Sequence, residues 1–291
     1  MSKCNLCPRG CLAERQLGER GFCSVGSQFK ISKIMLHAWE EPCISGQGGA
    51  GTVFFAGCNL HCVYCQNKAI SNGGSGREMN EDELEKEIFS LAQRGAECIE
   101  FVTPTHYTLS LARLLEKIKE RLTIPVVWNS SAYESVSSLS LLDGLVDIYL
   151  PDFKYFSSEL AKKYSSAENY PEIAILALKE MKRQVGLPQF DTAGMMRRGL
   201  IVRHLVLPSH RKDSIDALKL LAKQIGVENM RLSLMSQYTP DFYTDGKFKN
   251  LERRVTSFEY NSVMSAAIEL GFEGYFQQMS SADKKFTPIF E

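Results

Sequence analysis

Short apolar runs recur along the chain at Thr52–Ala56, Ile99–Thr103, Pro125–Trp128, Val146–Leu150, Leu200–Leu207 and Arg231–Met235. They are continuous rather than alternating, the pattern of strands buried on both faces of a parallel sheet. Helical stripes separate them. Asn80 followed by Glu83 reads as an N-cap with its capping-box partner, and Leu84, Ile88 and Leu91 mark one helix face. Leu111, Leu115, Ile118 and Leu122 form a second stripe; Leu178, Met181 and Val185 precede Gly186, and Leu218, Leu221 and Ile225 precede Gly226. Both glycines suit a left-handed helix end. Ile268 and Leu270 before Gly271 close the last helix.

Repeated β–α units predict an α/β fold, an incomplete TIM-like (β/α)6 barrel, whose active site lies at the C-terminal ends of its strands. A doubly wound open sheet is the competing architecture, but no G-x-G-x-x-G follows the first strand. Two poorly periodic segments, Phe156–Tyr170 and Leu187–Arg198, are open to two readings, lids over the barrel mouth or ordinary surface loops. The organisation expected is a cysteine-rich extension over residues 1–48 and a barrel with a C-terminal helix over 49–291.

Composition narrows the setting. The 291 residues balance 34 Lys and Arg against 34 Asp and Glu, which supplies neither a nucleic-acid groove nor a polybasic membrane patch. No apolar run is long enough to span a bilayer, and Met1-Ser2-Lys3-Cys4 lacks an apolar signal, so a cytoplasmic setting is expected. Nine cysteines, eight of them within the first 65 residues, then point to metal or redox chemistry rather than a disulfide framework. Cys98, the ninth, reads as a small buried strand residue.

Cys58, Cys62 and Cys65 stand in Phe54-Phe55-Ala56-Gly57-Cys58-Asn59-Leu60-His61-Cys62-Val63-Tyr64-Cys65, directly after the first parallel strand. Each iron of a four-iron cluster takes one thiolate, so three cysteines leave one iron open to a reactant. The alternatives are a zinc knot with His61 competing as fourth ligand, or three core cysteines. Past the other strands lie Thr103-Pro104-Thr105-His106, Asn129-Ser130-Ser131, Asp152-Phe153-Lys154, Arg203-His204 and Ser236-Gln237-Tyr238. Polar groups gathered at strand ends need partners, which suggests one shared cavity. Asp152 and Lys154 are expected on opposite faces and unpaired; Arg203, inside an apolar strand, needs Asp152 or a ligand. His204 reads as structural.

The C-x3-C-x2-C loop after a strand resembles that of the radical S-adenosylmethionine (SAM) superfamily. Within it the chain is similar to the pyruvate formate-lyase activating enzymes and to the uncharacterised branch related to them. Gly49-Ala50-Gly51-Thr52-Val53-Phe54-Phe55-Ala56-Gly57 is similar to their entry strand with its usual G-P-G altered; Asp152-Phe153-Lys154 matches their D-x-K, and Asn129-Ser130-Ser131 stands in place of D-T-N. The resemblance implies a [4Fe-4S] cluster on Cys58, Cys62 and Cys65, with SAM on its open iron. It implies reductive cleavage to a 5′-deoxyadenosyl radical, and hydrogen abstraction from a protein or peptide as glycyl-radical activases perform it. A small molecule or ribosomal peptide is the alternative substrate, and a non-catalytic Fe–S or zinc carrier the alternative class. Tyr64 would flank the adenine; Asn129, Ser130 and Ser131 would reach the ribose or a monovalent cation; Asp152, Lys154 and Arg203 would surround SAM or the substrate backbone. A reductant such as flavodoxin or ferredoxin is the implied partner, with a glycyl radical enzyme as possible protein substrate. Where the superfamily often has G-G-E-P, this chain has Val102-Thr103-Pro104-Thr105-His106, which passes the SAM amino contact to a backbone carbonyl, at Thr103 or nearby, or to Thr105.

Cys4, Cys7, Cys11 and Cys23 read C-x2-C-x3-C-x11-C in a segment poor in apolar residues, where a metal replaces a core. An auxiliary Fe–S cluster and a structural Cys4 zinc site both suit this spacing. Cys43 reads as a buried free thiol, with ligand and hydrogen-donor roles as alternatives.

Overall fold

The structure is a computed structural model and describes residues 3–243, 246–282, 288 and 290. Its strands are β1 (Phe29–His37), β2 (Ala50–Phe55), β3 (Arg77–Met79), β4 (Ile99–Val102), β5 (Val126–Ser130), β6 (Ile148–Pro151), β7 (Gln189–Phe190), β8 (Met196–Leu205), β9 (Arg231–Met235) and β10 (Gly274–Phe276). They pair in the order β10-β9-β8-β6-β5-β4-β2-β1-β3, with β7 appended to β8. From β2 to β10 every neighbour along this path is parallel, whereas β1 runs antiparallel to both β2 and β3. This is the partial TIM-like barrel expected from the apolar runs, extended by β1 and β3 at one edge and β10 at the other. β1 escaped the pattern because it is no continuous apolar run, with Lys30, Ser32 and Lys33 inside it, and six of its positions are only half-buried.

Strand alternation divides the interior in two. Val53, Phe55, Phe101, Trp128, Tyr149, Val202 and Leu234 face outward and pack on the helix stripes Leu84/Ile88/Leu91, Leu111/Leu115 and Leu218/Leu221. Ala50, Cys98, Val127, Ile148, Leu150 and Ile201 face inward and meet Cys43, Ile44 and Met196 in a separate apolar plug. Cys43 and Cys98 are thus core thiols. The next inward positions toward the C-terminal ends are polar: Thr52, Glu100, Asn129, Asp152 and Arg203.

Helix ends follow local rules. Asn80 accepts from Glu83 N while Glu83 reaches back to Asn80 N, completing the capping box that starts the helix Glu81–Gln93. Neither poorly periodic segment is a lid. Phe156–Tyr170 contains the helix Ser158–Ser165, capped by Ser157, and braces the cysteine loop through Val63 N to Tyr164 O at 2.9 Å. Leu187–Arg198 folds as a hairpin of β7 on the start of β8, the end of the barrel away from the site. The cysteine-rich front shares the main core, with Cys23, Val25, Phe29 and Ile31 packed among barrel residues.

Candidate active site at the strand ends

At the end of β2 the chain turns through Gly57 with φ of +85°; a Cβ there would stand 2.4 Å from the Cys23 carbonyl oxygen. Only glycine fits both demands. The loop that follows brings Cys58, Cys62 and Cys65 to one open cavity of about 1090 Å³. Tyr64, Thr103, Asn129, Ser130, Ser131, Asp152, Lys154 and Arg203 line the same cavity. Burial, reinforced by the neighbouring thiols, raises Cys58 and pushes Cys65 up to about 12. Left alone these thiols stay protonated; a positively charged metal group is what would hold them as thiolates.

The donor set fits a four-iron cluster. All three are soft ligands, and no fourth cysteine lines the cavity. Among the described residues no three His, Cys, Asp or Glu side chains gather around a single metal ion. A cubane spreads its thiolates over separate irons, so it does not require that arrangement. His61 does not line the cavity; it stacks on Phe22 at 4.7 Å between ring centroids.

A hydrogen-bond chain supports the loop. Ser165 Oγ donates to Cys62 Sγ at 3.0 Å and lies 2.7 Å from Tyr155 Oη, which lies 2.6 Å from Tyr64 Oη. Tyr170 Oη donates to the Asp152 carbonyl at 2.6 Å, lies 3.0 Å from the Ser131 carbonyl and accepts from Lys154 N at 2.9 Å, tying the ends of β5 and β6 together. Tyr155, Ser165 and Tyr170 carry no motif, and their polar-rich segment gave no periodic signal.

The charged residues form one buried network. Arg203 donates Nε to Asp152 Oδ1 at 2.8 Å, Nη2 to Asn129 Oδ1 at 2.7 Å and Nη1 to Glu40 Oε2 at 3.2 Å. Lys154 Nζ donates to Asp152 Oδ2 at 2.6 Å. The expectation of opposite faces for Asp152 and Lys154 fails because residues two apart on an extended strand share a face. Asn129 Nδ2 and Thr52 Oγ1 donate to Glu100, at 2.7 and 2.8 Å. Burial works against the Asp152 charge, but Arg203 and Lys154 outweigh it and hold the carboxyl below its ordinary range. Glu40 moves the other way: burial and Glu100 raise it, against Arg203. Glu40 and Glu100 were missed by sequence reasoning, though a glutamate within an apolar strand was a usable signal for Glu100.

Thr103 lines the cavity with φ of +58°, whereas Thr105 is absent from its lining and donates Oγ1 to Glu134 Oε1 at 3.1 Å. Glu134 also accepts from Ser130 Oγ and Trp128 Nε1, so it organises the loop behind the site. His106 Nε2 pairs with the Ala56 carbonyl and His204 Nδ1 with the Phe153 carbonyl, and neither lines the cavity. The front cysteines lie behind the loop. Arg9 donates to the Asn59 carbonyl at 2.7 Å and the Ser165 carbonyl at 3.0 Å. Burial pushes Cys7 up to about 11 against hydrogen bonds from the Arg9 backbone and the Asn59 side chain.

Comparison with known proteins accords with this arrangement. A model of the Radical SAM superfamily matches residues 52–196, a span that holds the triad, Asn129, Asp152 and Lys154. An uncharacterized protein of Methanocaldococcus jannaschii is 31% identical over 274 residues, covering 91% of this chain and 74% of its own. Among solved structures, a domain of pyruvate-formate lyase-activating enzyme from Bacteroides vulgatus superposes with a TM-score of 0.45 at 10% identity, over 62% of this chain and 98% of that one. Methylornithine synthase superposes with a TM-score of 0.49 at 14% identity, over 77% and 66%. Neither superposition carries an argument about this chain. On the match of its residues 52–196 to the family model, this chain belongs to the radical SAM superfamily.

Proposed function

We propose that the chain cleaves SAM reductively and abstracts a hydrogen atom from a protein or peptide substrate. One observation carries the reading: the three thiols and the Asp152–Arg203–Asn129 network open onto the same cavity at the parallel strand ends. When bound there, a reduced four-iron cluster supplies the electron that breaks a sulfonium C–S bond and yields the 5′-deoxyadenosyl radical. Cys58, Cys62 and Cys65 would hold it. Tyr64, braced by Tyr155, walls the adenine side, and Asn129, Ser130 and Ser131 offer hydrogen bonds to a ribose. Asp152 keeps Arg203 and Lys154 in place, so that two cations stand ready for carboxylate or backbone carbonyl oxygens. Thr103 N donates to Asn129 O at 2.9 Å, which fixes the backbone that replaces G-G-E-P.

The test is anaerobic reconstitution, chemical reduction and detection of 5′-deoxyadenosine by mass spectrometry. Formation that vanishes in Cys62→Ala supports the reading; no formation by iron-replete, SAM-binding protein overturns it. A deuterated protein or peptide should pass its label into the product, and transfer only from small molecules would remove the protein-substrate part.

We propose in addition that Cys4, Cys7, Cys11 and Cys23 hold a second metal centre, a further cluster or zinc. Its support is the proximity of the four thiols, Cys4 and Cys23 acting on Cys7 and Cys4 and Cys11 acting on Cys23. A Cys4→Ala/Cys7→Ala variant should lose either about four irons or about one zinc per chain. Unchanged metal content would remove the second centre.

A further inference from the structure

A second chamber adjoins the first, with Asn129, Arg203, Met235 and Thr239 lining both. Its own wall is His37, Trp39, Glu40, Glu41 and Gln277. Four carboxylates, Glu40, Glu41, Glu100 and Asp152, act on Arg203 here, while Lys154 is the second cation of the network. Burial and the nearby Arg203 hold His37 in its neutral form.

Three polar atoms of this lining have no hydrogen-bond partner although they are buried: Glu41 Oε2, Thr239 Oγ1 and Asn67 Oδ1. Glu41 is only 8% exposed and Thr239 only 4%. A buried carboxylate oxygen without a donor is costly unless a ligand supplies one. A primary ammonium brings a positive charge for the unpartnered Glu41 carboxylate and N–H donors of the kind Thr239 Oγ1 and Asn67 Oδ1 are without.

We infer that this chamber is a subsite for an alkylammonium group carried by the substrate, with Glu41 as counter-ion and Thr239 and Asn67 as further acceptors. It rests on the reading above that the substrate is attacked in the adjoining cavity. Such a group reaches the chamber from a free amine or from a lysine side chain of a peptide.

The experiment is calorimetric titration of the cluster-loaded, SAM-bound protein with matched probes. n-Pentylammonium is compared with n-pentanol, and end-blocked Gly-Lys-Gly with its Nε-acetyl form. At least one ammonium probe should bind tenfold or more tightly than its neutral partner, and Glu41→Gln should erase that preference. Preference for the peptide alone identifies a peptide side chain; preference for the free amine alone identifies a small molecule. Equal or absent binding of both members of each pair overturns the subsite, as does a preference unchanged in Glu41→Gln. Should that variant not fold, the wild-type pairs decide. Formation of 5′-deoxyadenosine without any probe tests the radical chemistry separately, so either reading can fail alone.

Discussion

At Asp152 one carboxylate holds two cations, and that makes it the residue on which the site's electrostatics turn. Asp152→Asn would leave Arg203 and Lys154 buried with too little compensation, a cost of about 3–5 kcal/mol for a broken buried pair. Urea denaturation should show this loss, together with SAM binding weakened by at least about tenfold, or about 1.4 kcal/mol. Ser165 acts on the metal site from one step back. Hydrogen bonds to cluster sulfurs tune reduction potential, so Ser165→Ala, which removes the donor to Cys62 Sγ, should lower it. A bond worth about 1 kcal/mol corresponds to about 40 mV for a one-electron couple. Potentiometric titration followed by electron paramagnetic resonance checks the shift. The residue types here were readable in advance: thiols at C-x3-C-x2-C, and an arginine in an apolar strand that demanded a partner. Glu40 was not, because its role depends on Arg203, 163 positions away.

Among the elements, the helix Ser257–Glu269 shows how strongly a single cap can hold the C-terminal part. Thr256 accepts from Glu259 N, while Glu259 accepts from Thr256 N at 2.9 Å, Ser209 N at 2.7 Å and Arg253 at 2.7 Å. Glu259→Ala removes the reciprocal cap and strands the Ser209 amide, at a cost of about 2–4 kcal/mol. Thermal unfolding should register it, and the variant should retain the apolar packing of Val263 and Ala267. Element positions followed from periodicity where strands are buried on both faces. β1 and the helix Ser158–Ser165 did not, for opposite reasons. One is a half-buried strand broken by Lys30, Ser32 and Lys33, and the other is too short to show a stripe.

For the whole molecule, the consequence of so many buried ionisable groups is a defined response to acid. Burial lowers His106 to about 3 and His204 to about 4, below the ordinary value of 6.5. The unfolded chain therefore binds protons that the folded chain refuses. Their contribution is complete above pH 6.5 and is lost as pH falls from there toward 4, by about 1.4 kcal/mol per pH unit for each imidazole. Buried Glu134, whose carboxyl is raised, works in the opposite sense and offsets part of this. Imidazole resonances of both histidines should stay in the neutral position from pH 8 to about 5. Titration near 6.5 would contradict the burial of these rings.

What the chain alone determined is whatever depends on neighbours in sequence: the thiol spacing, the apolar runs, the capping boxes and the glycines at helix ends. Each is a contact or a period within a few residues, so local chemistry states it fully. Tertiary structure decided which strand ends meet. The closing curve of the sheet turns Thr52, Glu100, Asn129, Asp152 and Arg203 inward to one network and sets Glu40 and Glu41 beside it. A charge inside an apolar strand signals that a partner is needed, but which distant residue it is has no local signature, because the pairing energy exists only after the barrel has excluded the solvent.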